Sequence, residues 1–166
     1  MTKKNLKTLQ RQMKKNGLSK VIGIDPGKSG GLTVIEKKDV YSQKCPGDVK
    51  DMAIMFAIAL EQTPPQKVAV FLEKVWAFPT DAKKTAFIFG QNYGQWEGII
   101  SSYEIGVSYV TPKEWQSFYD IPKMVKKDRK NHIKKIAKEL FPNIKVTLNV
   151  SDSILIANYG INILTC

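Results

Sequence analysis

The sequence predicts a single α/β domain. Two apolar, β-branched runs, Lys20–Asp25 (KVIGID) and Lys67–Glu73 (KVAVFLE), read as buried strands. Between and after them come stretches of helical period. At 166 residues the chain is long enough for one domain with a core and too short to expect two.

The elements follow in order. Residues 1–20 hold seven basic side chains and no acid, with Leu6, Leu9 and Met13 at helical spacing. They are expected to form a basic N-terminal extension, a short amphipathic helix ending near Gly17. It reads equally well as an arm on a phosphate backbone and as a solvated tail. The remainder, 20–166, is expected to be the domain proper.

After the Lys20–Asp25 strand and a Pro26-Gly27 turn, Gly31–Glu36 and Asp39–Lys44 read as strands joined by a tight Lys-Lys turn. Asp48–Gln62 puts Met52, Met55, Phe56, Ala59 and Leu60 on one helical face, and Pro64-Pro65 stops it. Asp81–Tyr103 has helical period that Gly90 and Gly94 are expected to break. Ile105–Val110 is a short strand, and Thr111-Pro112 opens a helix with proline in its first position. Asp128–Leu140 is a lysine-rich amphipathic helix, and an apolar helix runs from about Ser151 to Ile161.

Composition narrows the function. The 26 Lys+Arg against 15 Asp+Glu give a net charge of +11, which points to a polyanionic partner. Two distant cysteines, Cys45 and Cys166, make no disulfide framework and fit a reducing compartment. The lone His132 rules out multi-histidine metal sites. With no signal-like apolar stretch in residues 1–20 and no uncharged run of about 20 residues, a soluble intracellular protein is expected.

Three acids stand apart. Asp25 and Glu73 each end an apolar strand, and Asp152 opens an apolar helix. A carboxylate at such a boundary is costly unless a positive group pairs with it. Singly, Asp152 reads as a residue favoured by a helix dipole and Asp25 as a turn former. Glu73, closing an apolar run, has no such structural explanation. As a set on a basic chain they point to Mg²⁺ or Mn²⁺, hard ions that prefer oxygen ligands. Two such ions about 4 Å apart suit phosphodiester hydrolysis. Gly23–Ser29 (GIDPGKS) looks like a nucleotide-binding loop, but Ile22 stands where its first glycine is needed. Lys28 still offers a point charge to a phosphate.

The segments VIGIDPGKSGGLTVIE, VAVFLEKV, FGQNYGQWEGII, VTPKEWQ, AKELFP and SDSILIANYG, in that order over about residues 20–160, resemble RuvC-like Holliday-junction resolvases, especially phage-type members. The resemblance implies an RNase H-like fold, a mixed five-stranded sheet with three antiparallel strands first and helices packed on it. It implies a homodimer that binds four-way DNA junctions and makes paired symmetric nicks with Mg²⁺, for which Mn²⁺ substitutes. Four carboxylates hold the ion in that family. Carried over, they fall on Asp25, Glu73, Asn149 and Asp152, so the third position of the pattern is a neutral amide here. With a spacing of i, i+3, residues 149 and 152 are expected on one side of a first helical turn. An amide lends an oxygen but no charge. Asn149 is consistent with an engineered inactivating change, with an active divergent enzyme, or with a junction binder that no longer cuts.

Between Lys123 and Lys145 lie nine Lys/Arg and two acids, Asp128 and Glu139. The resemblance makes Lys130 the lysine near the scissile phosphate, with Lys127 and Lys134 beside it; a solvated face is the plainer reading of the same helix. Phe78, in the loop after Glu73, is the candidate wedge at the crossover. The aromatic segment Phe87–Ile100 is expected at a dimer interface, its glycines allowing close helix packing. A non-catalytic branched-DNA binder and a nuclease acting on RNA or hybrids are the competing readings.

Overall fold

The computed structural model describes residues 3–36, 39–76 and 82–164. One five-stranded sheet organises it: β1 (Lys20–Ile24), β2 (Gly31–Glu36), β3 (Val40–Lys44), β4 (Val68–Glu73) and β5 (Val107–Val110), in spatial order β3-β2-β1-β4-β5. The first three strands pair antiparallel, while β4 joins β1 and β5 joins β4 in parallel. The mixed sheet with three antiparallel strands first is thus as expected.

Strand alternation sends side chains to two cores. On one face Val21, Ile35 and Phe71 pack with Ile154, Leu155 and Ala157 of α6 (Ser151–Ile163). On the other, Ile22, Ile24, Leu32 and Val34 meet α2 (Val49–Leu60) and α3 (Lys83–Ser102). The buried side of α2 is Met52, Met55, Phe56, Ala59 and Leu60, the face its periodicity predicts, and Asp48 caps it through the amides of Lys50 and Asp51. Both core faces bury β1, whose five residues are all inaccessible.

α6 lies hard against the sheet because two glycines let it. A Cβ on Gly23 would sit on the backbone of Ala157, and one on Gly160 would overlap the Phe71 ring. The Thr33 and Ser153 hydroxyls share a hydrogen bond at 2.8 Å, tying α6 to β2.

α3 runs unbroken, contrary to the break expected at Gly90 and Gly94. Its other face buries Asn92, Trp96, Ile99 and Ile100, and that packing outweighs the roughly 1 kcal/mol each glycine costs a helix. Nor do these glycines admit a neighbouring helix within the chain: a Cβ at either would meet nothing within 4 Å. α4 (Pro112–Phe118) starts with a capping box between Thr111 and Glu114, and α5 (Lys126–Leu140) begins two residues earlier than its periodicity suggested. α1 (Lys3–Lys15) packs Leu9 and Met13 into the α6-side core. No helix among the described residues is long and apolar enough to cross a membrane.

Candidate active site

Topology brings the three singled-out acids together. β1 and β4 are parallel neighbours with Ile24 opposite Leu72, so the next residues, Asp25 and Glu73, emerge side by side at the same end of the sheet. The Asp25 amide still bonds the Gly31 carbonyl at 2.9 Å, while its Oδ1 accepts from the Gly27 amide at 3.3 Å. Gly30 closes this turn against the Asp25 carbonyl, where a side chain has no room. Asp152 arrives from the opposite layer as the second residue of α6, and Ser151 Oγ donates to its Oδ1 at 3.0 Å.

Glu73 and Asp152 are buried and Asp25 half-buried. Burial, then the neighbouring Asp152 charge, raises the Asp25 pKa to about 6. Burial and the Asp25 charge push Glu73 to about 8, against the opposing hydrogen bond from Trp115. Trp115 is fully buried and its indole Nε1 donates to Glu73 Oε1 at 2.8 Å.

Lys130, from the first turns of α5, places Nζ 2.7 Å from Asp152 Oδ2. Burial alone would lower its pKa, but the three carboxylates, Asp152 most, together outweigh it and raise the value. Even with Glu73 holding its proton at neutral pH, one ammonium faces the charges of Asp25 and Asp152, which leaves a surplus of negative charge.

Such an all-oxygen, negatively charged set fits a hard divalent cation in its chemistry. As they stand, no three Asp, Glu, His or Cys side chains among the described residues are close enough together to form a finished ligand cluster. Asp152 has one oxygen on Lys130 and the other on Ser151.

The remaining expected residues are spread more widely. α6 begins at Ser151, so Asn149 sits in the turn before it; its Nδ2 donates to the Ser29 carbonyl at 2.8 Å, clasping the Pro26–Gly30 loop. Lys28 is exposed on that loop. Lys127 is exposed and Lys134 half-buried on α5, three residues before and four after Lys130 and so on the same side of the helix. Phe78 lies outside the described residues. Trp115 is the site residue that sequence reasoning missed, since nothing in VTPKEWQ says its ring reaches Glu73.

Beside Glu73 opens a cavity of about 690 Å³. Lys74, Lys113 and Lys126 line it together with Trp76 and Phe89. Phe89 and its neighbours thus do not act as one cluster: Trp96 is core, Phe89 lines this cavity, and Phe87 is 73% exposed.

The architecture is that of the RNase H-like class, and within it the RuvC fold. A solved structure of RuvC from T. thermophilus in complex with a Holliday junction substrate superposes with a TM-score of 0.60 at 15% identity, covering 85% of this chain and 91% of that one. A second, Thermus thermophilus RuvC, gives 0.55 at 16% identity, covering 88% and 97%. No family model and no curated protein sequence matches the chain.

Proposed function

We propose that this chain is a structure-selective endodeoxyribonuclease that resolves four-way DNA junctions by paired symmetric nicks. The observation that carries the reading is the meeting of Asp25, Glu73, Asp152 and Lys130 at one end of a RuvC-type sheet. Phosphodiester cleavage needs negative oxygen ligands for a cation and a positive group for the phosphate, and this centre offers both.

Asp25, Glu73 and Asp152 are the residues that would hold Mg²⁺, or Mn²⁺ in its place. Such an ion, when bound, activates a water and stabilises the leaving oxygen. Trp115 fixes the Glu73 carboxylate and favours its ionised form. Lys130 neutralises Asp152 in the free protein and is placed to accept a backbone phosphate once a cation takes over that task. Asn149 holds the loop that carries Asp25 and Lys28.

The lysines of the neighbouring cavity suit strand phosphates, and Trp76 and Phe89 suit bases unstacked at a crossover. Phe78, two residues after Trp76 in the sequence, is the wedge in this reading. Lys127 and Lys134 add phosphate contacts along α5. The enzyme is a homodimer, since two symmetric nicks need two centres. Exposed Ile54 and Ile58 on α2 and Phe87 on α3 are apolar surface available for that contact. It acts on DNA inside the cell.

The reading is tested by offering labelled four-way junction, linear duplex and RNA–DNA hybrid at one salt concentration with Mg²⁺. Paired nicks confined to the junction are the expected result. Preferential cutting of the hybrid supports the RNA reading instead, and tight junction binding without cutting supports a branched-DNA binder.

A further inference from the structure

We infer that α1 is a second DNA-binding element, which holds the duplex arm of the junction away from the crossover. The inference rests on the junction reading above but names a surface which that reading does not use.

α1 is docked, not trailing. Leu9 and Met13, one turn apart, are 5% and 2% exposed and sit in the core with α6 and Phe141. The helix is then closed off: Gly17 takes φ +68°, Leu18 donates to the Met13 carbonyl at 2.9 Å, and the Ser19 amide donates to the Lys67 carbonyl just before β4. With that stripe buried, helical geometry turns positions 11, 14 and 15 outward. Arg11, Lys14 and Lys15 are all exposed there. No acid occurs before Asp25, so no carboxylate of this segment offsets them.

The position of α1 supplies the partner. Lys130 meets the carboxylate centre near the start of α5, and the far end of α5 meets α1, where Leu140 and Phe141 share a groove with Thr8, Leu9 and Gln12. Between those points α5 exposes Lys135 and Lys138. From Lys130 to Leu140 the helix rises roughly 15 Å, and α1 from Leu9 at that groove to Lys15 spans roughly 10 Å. A strand leaving the centre along this path meets α1 about 4 to 7 base pairs from the crossover, at about 3.4 Å per step. A solvated tail needs neither the docking nor the continuity with α5. These contacts read phosphates and add affinity without sequence preference.

The test compares the full chain with R11A/K14A/K15A on synthetic junctions whose arms carry neutral methylphosphonate linkages at stepped distances from the crossover. All three side chains are exposed, so an unchanged melting temperature confirms intact folding. On unmodified junction the variant should bind about tenfold more weakly, and its log-affinity against log-salt slope should fall by roughly 2 to 3. Neutral linkages about 4 to 7 base pairs out should weaken the parent and leave the variant unaffected, while nicking of bound junction stays at the parent rate. Equal affinity and slope for both proteins, or an equal response to the neutral linkages, overturns the assignment. A parent with no preference for junction over linear duplex refutes the junction reading itself, whatever the variant does.

Discussion

The Lys130 ammonium lies 2.7 Å from Asp152 Oδ2, so the lysine-rich helix α5 supplies the cation that a buried carboxylate of the centre meets. The pair joins α5 to α6 directly at the place where the sheet delivers Asp25 and Glu73. Removing the lysine therefore has two separable effects. Lys130→Met should lower junction nicking about 100-fold. It should also destabilise the metal-free protein by about 2 kcal/mol, less than a fully buried pair because the lysine is partly exposed. Since the lysine competes for Asp152, the Mg²⁺ concentration that half-stabilises the variant against heat should fall below that of the parent. A variant with parental nicking and melting removes Lys130 from the site.

Trp115 acts through Glu73. Trp115→Phe keeps most of the buried ring and deletes the donor to Oε1, at a cost of about 2 kcal/mol in urea unfolding. That hydrogen bond lowers the Glu73 pKa, so its loss should move the acidic limb of the nicking profile to higher pH. An unmoved limb makes Trp115 a core residue only.

Without metal, stability should fall as pH rises. Glu73 is raised from 4.5 to about 8 and Asp25 from 3.8 to about 6, so the folded state keeps protons that the unfolded state releases across this interval. More protons on the folded form mean a negative slope of stability with pH. Between pH 5 and 8 in chelator, Tm should drop by the order of 5 °C. Mg²⁺ should flatten or reverse the slope, because cation binding favours the ionised carboxylates. A Tm that rises over that interval in chelator contradicts the electrostatics described.

Gly23→Ala tests the packing that brings Asp152 to the sheet. The added methyl meets the Ala157 and Ser153 backbone, which has no rotamer to yield. A loss of about 3 kcal/mol or more in chemical denaturation is expected, together with loss of nicking. A variant as stable as the parent shows that α6 stands farther from β1.

The sheet and the carboxylates were legible for the same reason. The β-branched runs at 21–24 and 68–72 are buried on both faces, and a charge following each is conspicuous. Parallel pairing of β1 with β4 is a long-range fact; the ordered segments implied a mixed sheet with three antiparallel strands first, but not which strands run parallel. What local sequence did not reveal depends on tertiary packing. Gly90 and Gly94 read as breaks, because the burial of Trp96 and Ile100 that carries the helix through them is not a local property. The Trp115 bond to Glu73 spans two elements, and the Asn149 bond to Ser29 spans 120 residues. The spacing of 149 and 152 suggested one helical turn, but the helix starts at Ser151 and frees Asn149 to clasp a loop.

Asn149 is where the central claim is most exposed. Asn149→Asp removes the donor to the Ser29 carbonyl, costing about 1 kcal/mol, and restores the carboxylate of the four-acid pattern in the turn just before Asp152. The decisive measurement is nicking of a labelled four-way junction in Mg²⁺ and then Mn²⁺ by the chain, by Asn149→Asp, and by Glu73→Gln as the control. The account predicts paired symmetric nicks from Asn149→Asp at a rate at least that of the parent, with none from Glu73→Gln. Tight junction binding with no nicks from either the parent or Asn149→Asp contradicts it, and leaves a branched-DNA binding protein built on a nuclease fold.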